Sequence, residues 1–168
     1  GYIWDWVDQS VIRKDSVTGK EYFSSLNGTN GLVFADRKIK PAINECKKIY
    51  QHIRFDYSNG ELTIRNEYNY LPLSTFRFSW KLMAGGELIK KGELTDIEAF
   101  PGTSARVKID TGYSDAGQKG EFILEINACL KKDVIWAPKG FEIAWEQFTL
   151  QEGKVNPPVE ENTGNGGK

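Results

Sequence analysis

Histidine appears once in the 168 residues and cysteine twice. His52 has no second histidine or cysteine at ligand spacing, which argues against a zinc centre. Cys46 falls in a predicted helix and Cys129 in a predicted strand, with no C-x-x-C spacing, so both are expected as unbridged buried thiols. Neither sign of charge dominates: 22 basic residues face 23 acidic ones, for a formal net charge of -1. A chain so balanced carries no electrostatic footprint for nucleic acid or for an anionic membrane surface, and neither is expected as a partner. No apolar run approaches the roughly 20 residues of a spanning helix, and no charged start with a short apolar stretch marks a leader. If the chain is a piece of a longer polypeptide, that says nothing of where the whole resides. What is present is 39% apolar residues with 12% aromatics, the composition of a folded β-rich protein. The length suits one modest domain with an appendage.

Three segments can be told apart: 1–51, 52–150 and 151–168. The first opens on Gly1-Tyr2-Ile3-Trp4-Asp5-Trp6-Val7-Asp8-Gln9. Period-2 alternation predicts a strand with Tyr2, Trp4, Trp6 and Asp8 on one face and Ile3, Asp5 and Val7 on the other. Tryptophan beside aspartate suits a sugar, whose apolar C–H face can lie on an indole while its hydroxyls donate to a carboxylate. An aromatic-rich strand also serves as core, and the pattern by itself favours the core. A polar, Gly- and Asn-rich connection follows to residue 36. Pro41 then begins a predicted helix to Tyr50, proline being suited to a first turn whose N–H has no partner. Ile43, Cys46, Ile49, Tyr50 and Ile53 form one apolar stripe along it.

Beyond residue 52 the period changes to two. His52–Tyr57 leads through Asn59-Gly60, a strong hairpin signal, into Leu62–Tyr70. The strand Phe76–Ala84 turns at Gly85-Gly86 into Leu88–Leu94. Ala105–Ile109, Phe122–Leu130 and a last strand from Phe141 complete seven one-sided strands. The fold class is therefore all-β, an antiparallel β-sandwich, with Phe78, Trp80, Leu124, Ile126, Ile143 and Trp145 expected in the shared core. In the last strand Phe148 and Leu150 break parity with Phe141, Ile143 and Trp145, so a bulge is expected near Glu146-Gln147. Residues 151–168 have no periodicity and are expected to be a flexible linker or tail. No internal repeat is visible.

The Trp-Asp segment, then Asn30-Gly31-Leu32-Val33-Phe34-Ala35-Asp36-Arg37 and Lys40-Pro41-Ala42, resembles the end of the catalytic domain of the glycoside hydrolase family 2 β-galactosidases. Ser79-Trp80-Lys81-Leu82 and Gly140-Phe141-Glu142-Ile143-Ala144-Trp145 extend the resemblance over roughly residues 1–150. It implies that 1–51 is the last strand, loop and last helix of a (β/α)8 TIM barrel, and that 52–150 is an immunoglobulin-like domain. The parent would hydrolyse terminal non-reducing β-D-galactose residues, with the sandwich as spacer and brace. Its partners would be the remaining domains and a galactoside; its compartment would be cytoplasmic or periplasmic. The alternative is a free-standing carbohydrate-binding sandwich, for which Tyr57, Tyr68, Tyr70 and Tyr113 could supply an aromatic platform.

The resemblance also assigns residues. Trp4 would line the pocket of the non-reducing sugar. Asn30 would ligate sodium, and sodium and magnesium would be cofactors of the parent; none is expected for the chain alone. The family's longer loop before Asn30 is missing, because Tyr22–Thr29 runs straight into it, and that speaks against both the sodium site and the loop's substrate contacts. The family's two catalytic glutamates lie upstream of the first motif, so no catalytic residue is expected here. The same-face carboxylates Glu121/Glu125 and Glu142/Glu146 are expected on solvated outer faces, leaving the isolated chain inactive. With the barrel not accompanying them, residues 1–50 are expected either to fold back on the sandwich in a non-parental arrangement or to stay mobile and promote association.

Overall fold

The computed structural model describes residues 2–25, 28–113 and 120–153. Two compact units divide the chain, Gly1–Gln51 and His52–Lys168. The predicted tail lies, from residue 154 onward, outside the described residues.

In the first unit the expected strand over residues 1–9 is not formed. The segment is instead laid along residues 30–33 as an isolated parallel bridge, Val7 to Val33. Leu32 and Val33 donate their N–H groups to the carbonyls of Asp5 and Trp6 at 3.1 and 3.0 Å, and Asp8 N–H donates to Val33 O at 3.1 Å. A parallel ladder is normally buried on both faces; this one has a single short neighbour, and Trp4 and Trp6 stay exposed. The parity also fails: Asp8, expected beside the tryptophans, is buried.

The polar connection holds a hairpin that periodicity did not predict. Strand β1 (Ser10–Lys14) pairs antiparallel with β2 (Glu21–Ser25), Ser10 opposite Ser25 and Lys14 opposite Glu21. Its loop is organised by Asp15, whose Oδ1 accepts from Val17 N–H, Thr18 N–H and the Thr18 hydroxyl at 3.0, 2.6 and 2.8 Å. Such an Asx arrangement replaces the turn's backbone bonds. The bonds from Thr18, backbone first, and from Val17 hold the Asp15 carboxyl below its ordinary 3.8. Helix α1 (Ala42–Tyr50) starts behind Pro41 as expected, but none of its residues is fully buried, and Ile49 and Tyr50 are exposed. Ile53 does not continue the stripe; it is the first residue of the next strand and has no exposed surface.

The second unit is the expected sandwich. Its strands are β3 (Ile53–Ser58), β4 (Glu61–Asn66), β5 (Phe76–Ala84), β6 (Glu87–Leu94), β7 (Ser104–Lys108), β8 (Phe122–Leu130) and β9 (Glu142–Gln151). Among the described residues these form two antiparallel sheets, ordered β3-β4-β7 and β6-β5-β8-β9. Asn59 and Gly60 both take positive φ, 53° and 78°, as the two-residue hairpin between β3 and β4 requires. Ile53, Phe55, Leu62 and Ile64 from one sheet meet Phe76, Phe78, Trp80, Leu82, Leu124, Ile126 and Ala128 from the other. Phe55 and Phe78 join the sheets edge to face at 6.4 Å. Trp80 lies against Gly92, its cross-strand partner; a Cβ at that glycine would stand 2.7 Å from the indole nitrogen.

Asn66, the last residue of β4, has no exposed surface yet no unmet polar atom. Its Nδ2 donates to Leu71 O at 2.8 Å and Ala99 O at 3.1 Å, and its Oδ1 accepts from Tyr68 N–H at 3.0 Å. One side chain thus fastens two crossing loops. Tyr68, held there, stacks on Phe76 at 5.4 Å, and burial raises its phenol above 10.0.

Strand β9 departs from expectation in register. Its irregularities lie near its two ends, opposite the Ala128–Cys129 and Phe122–Ile123 steps, not near Glu146-Gln147. Between them Ala144, Glu146 and Phe148 stand opposite Ala128, Ile126 and Leu124. Ala144 is fully buried and Phe148 packs on the core. Trp145 is therefore not a core residue: it pairs with Asn127 on the outer face, because the first bulge shifts parity before it is reached. Ile143, at that bulge, is only partly buried.

Candidate functional site

The structure brings the two residues singled out for sugar and cation, Trp4 and Asn30, to one place. Both line a small cavity of about 110 Å³ together with Asp5, Gln9 and Gly28. The Trp4–Asp5 peptide is cis. Trp4 stands 79% exposed, but its base is fixed. Asp5 N–H donates to Asn30 O at 3.3 Å, and the Asp5 carboxylate accepts from Trp6 N–H at 2.7 Å and from Gln9 Nε2 at 2.9 Å. A small-molecule pocket that encloses its ligand is roughly 300–1,000 Å³, and this cavity is well below that. Gln9 was not singled out by the sequence, and its role is visible only once Asp5 is seen to accept from it.

The same unit holds a largely buried ion pair. Asp8 Oδ1 accepts from Lys40 Nζ at 2.6 Å, with side-chain exposures of 4% and 13%. The same oxygen accepts Gly31 N–H at 2.9 Å. Lys40 Nζ also donates to Thr29 O at 2.9 Å and sits 5.0 Å from the Phe34 ring centre. Gly31 passes so close to the Trp4 segment that a Cβ would come within 2.3 Å of Asp8 N and 2.4 Å of Val7 C. Of the oxygens around Asn30, its own carbonyl, that of Thr29 and both of Asp5 are thus already hydrogen-bonded. Among the described residues no group of three or more His, Cys, Asp or Glu side chains is placed as a metal cage.

A larger cavity of the same unit, about 390 Å³, is lined by Asp8, Phe23, Phe34 and Asp36 among others. Lys38, hydrogen-bonded at 2.7 Å, holds the Asp36 carboxyl below its ordinary value. The sandwich has a cavity of about 520 Å³ at one end, between Tyr57, Asp110, Tyr113 and Leu150.

The four paired carboxylates have different surroundings. Glu125 is bound by Lys81 at 2.7 Å and by Gln147 at 3.2 Å, and Glu121 is exposed ahead of β8. Glu142 accepts from Asn127 Nδ2 at 2.7 Å on the outer face. Glu146 stands opposite Ile126, on the core-facing parity, so the bulge in β9 puts this pair on different faces and corrects their expected common outer face. Of the four tyrosines, Tyr57, Tyr68 and Tyr113 pack against the core, and Tyr70 is exposed. Cys46 and Cys129 lie in different units, both half-buried rather than buried, and are not joined.

The sequence matches the family described as β-galactosidase, domain 4, over residues 62–151, which is more than half of the chain. The β-galactosidase of Priestia megaterium is 31% identical over 95% of the chain and 17% of its own length. That of Halalkalibacterium halodurans is 30% identical over 92% and 16%, and that of Oenococcus oeni 31% over 89% and 16%. The chain thus spans about a sixth of the length of the curated relatives it matches. On this evidence the chain belongs to the β-galactosidase domain 4 family.

Proposed function

We propose that the chain serves within an exo-acting β-galactosidase, where Trp4 is an apolar wall of the galactose subsite and the sandwich is a spacer and brace. The observation that carries this reading is the exposed Trp4 indole beside Asn30, on a backbone clamped to residues 30–33. A backbone held in place lowers the ordering cost when a pyranose C–H face settles on the indole it carries. The bond-breaking carboxyls, about 5–5.5 Å apart in a retaining enzyme, belong to other parts of the polypeptide, and Trp4 contributes orientation. The exposed Tyr2, Ile3, Trp6, Ile49 and Tyr50 are apolar surface for the remaining domains to cover. The sandwich, with its aromatic core and its loops fastened by Asn66, suits a rigid support. A free-standing carbohydrate-binding module is disfavoured by the inward packing of Tyr57, Tyr68 and Tyr113.

The test is made in the complete enzyme. Trp4→Ala should lower kcat/KM for an aryl β-galactoside by roughly 10–100-fold, the scale of losing a positioning contact, while Trp4→Phe keeps most of it. A loss no greater than that from Trp6→Ala would remove Trp4 from the subsite.

A further inference from the structure

We propose that the Lys40 ammonium is the resident structural cation of the Trp4 segment, and that this segment takes up no sodium. Four observations converge on it. First, the Asp8 carboxylate is nearly buried, and the cation recorded against it is Lys40 Nζ at 2.6 Å. Second, the same ammonium donates to the carbonyl of Thr29, the residue next to Asn30, and faces the Phe34 ring. A carboxylate, a backbone carbonyl and an aromatic face are the partners that a hard monovalent cation would seek.

Third, the lysine is placed by its own backbone. Val33 bridges Ile39, Lys40 N–H donates to Leu32 O at 3.2 Å, and Pro41 follows directly. A residue before proline is held near the extended region, so the side chain leaves a fixed point. Fourth, Asp8 Oδ1 is shared between Lys40 and Gly31 N–H, and Gly31 lies in backbone contact with Val7 and Asp8. Ammonium, carboxylate and glycine amide therefore set the spacing between the Trp4 segment and residues 28–33. Lys40 is a positioning residue, acting through Asp8 and Gly31, and the inference stands whether or not Trp4 meets a sugar.

A free cation placed here would have to displace a tethered one from a buried carboxylate, where the carbonyls of Thr29 and Asn30 and both Asp5 carboxylate oxygens already accept N–H groups. The tether makes the ammonium's local concentration effectively permanent. A lysine in this position thus offsets the need for an ion.

The experiment measures amide hydrogen exchange at Asp8, Gly31, Leu32 and Val33 in the 168-residue chain, with the β5 and β8 amides as internal reference. Sodium chloride is compared with choline chloride at equal ionic strength. Protection in the unaltered chain should be the same in both salts. Lys40→Met should lose at least about tenfold in protection at Gly31 and Asp8, because it strands a buried carboxylate. The double variant Asp8→Asn with Lys40→Met should recover part of that loss, since it strands no charge, and methylammonium should partly rescue Lys40→Met. Protection in the unaltered chain that rises saturably with sodium would overturn the proposal. So would a double variant no better protected than Lys40→Met alone, or Lys40→Met exchanging at the unaltered rate.

Discussion

Replacing Asn66 by alanine removes a single polar side chain and three hydrogen bonds at once. The partners left behind are the carbonyls of Leu71 and Ala99 and the amide of Tyr68. Each polar group stranded out of water costs about 1–3 kcal/mol. The Leu71 and Tyr68 groups are part-buried and belong near the low end, whereas the Ala99 carbonyl keeps the Leu73 N–H that donates to it at 3.0 Å and adds less than about 1 kcal/mol. The expected loss is about 2–3 kcal/mol, a large share of the roughly 5–15 kcal/mol that holds a domain folded. Urea unfolding followed by far-UV circular dichroism would read it as a lower midpoint at unchanged slope. Asn66→Asp makes the reasoning sharper. An ionised carboxylate still accepts from Tyr68 but turns negative oxygen toward two carbonyls, so burial raises its folded pKa above the unfolded value. A raised folded pKa means stability present at acid pH and lost as pH rises, so the deficit against Asn66 should widen from acid to neutral pH. A loss under about 1 kcal/mol for Asn66→Ala, or a pH-independent deficit for Asn66→Asp, would show that the two loops are fastened by something else.

Gly92→Ala sets two effects against each other: reduced freedom of the unfolded chain gains about 0.4–1 kcal/mol, while forcing Trp80 aside costs about 1–3 kcal/mol. Net destabilisation in urea is expected, and a stabilised variant would mean that the indole does not need the glycine. The β1–β2 hairpin should loosen in acid, because a depressed Asp15 pKa contributes order above 3.8 that is lost as pH falls through the folded value. Exchange at the Val17 and Thr18 amides that stays slow through that range would contradict the loop geometry.

The sandwich was legible because its signals are local. Alternation in Phe76–Ala84 and Phe122–Leu130 needs no knowledge of the partner strand, and Asn59-Gly60 names its own turn. Trp145 escaped because a bulge changes which parity faces inward, and the sequence shows only that a bulge is needed somewhere between Phe141 and Leu150. Placed at Glu146-Gln147, it buries Trp145; placed at Ile143, it buries Ala144 and Phe148 instead. Alanine, small and uninformative by hydropathy, is the residue that fits closest. The β1–β2 hairpin escaped for a different reason: its strands are exposed on nearly every residue, so no apolar alternation announces them. The readable cue was Asp15 with Thr18 and Gly19, an Asx turn closing a loop.

The site divides in the same way. Trp4 and Asn30 could be singled out because a tryptophan beside an aspartate and an Asn-Gly-Leu-Val stretch are contiguous words. What holds them together is not contiguous. Asp8 and Lys40 are 32 residues apart, and in the sequence one is a carboxylate at the edge of an aromatic segment and the other a lysine close behind Arg37 and Lys38. Neither looks different from a solvated surface charge until the fold closes Gly31 over Asp8 and removes water from it. Once that happens the two can no longer be separate features, since a buried carboxylate without a cation is far less stable than either residue exposed. Gly31 is the link that makes the pairing obligatory: no side chain fits between it and the backbone of Val7 and Asp8, so the loop can approach closely enough to bury the acid. A close-approach glycine thus creates the need for a buried cation, and the residue ahead of Pro41 supplies it.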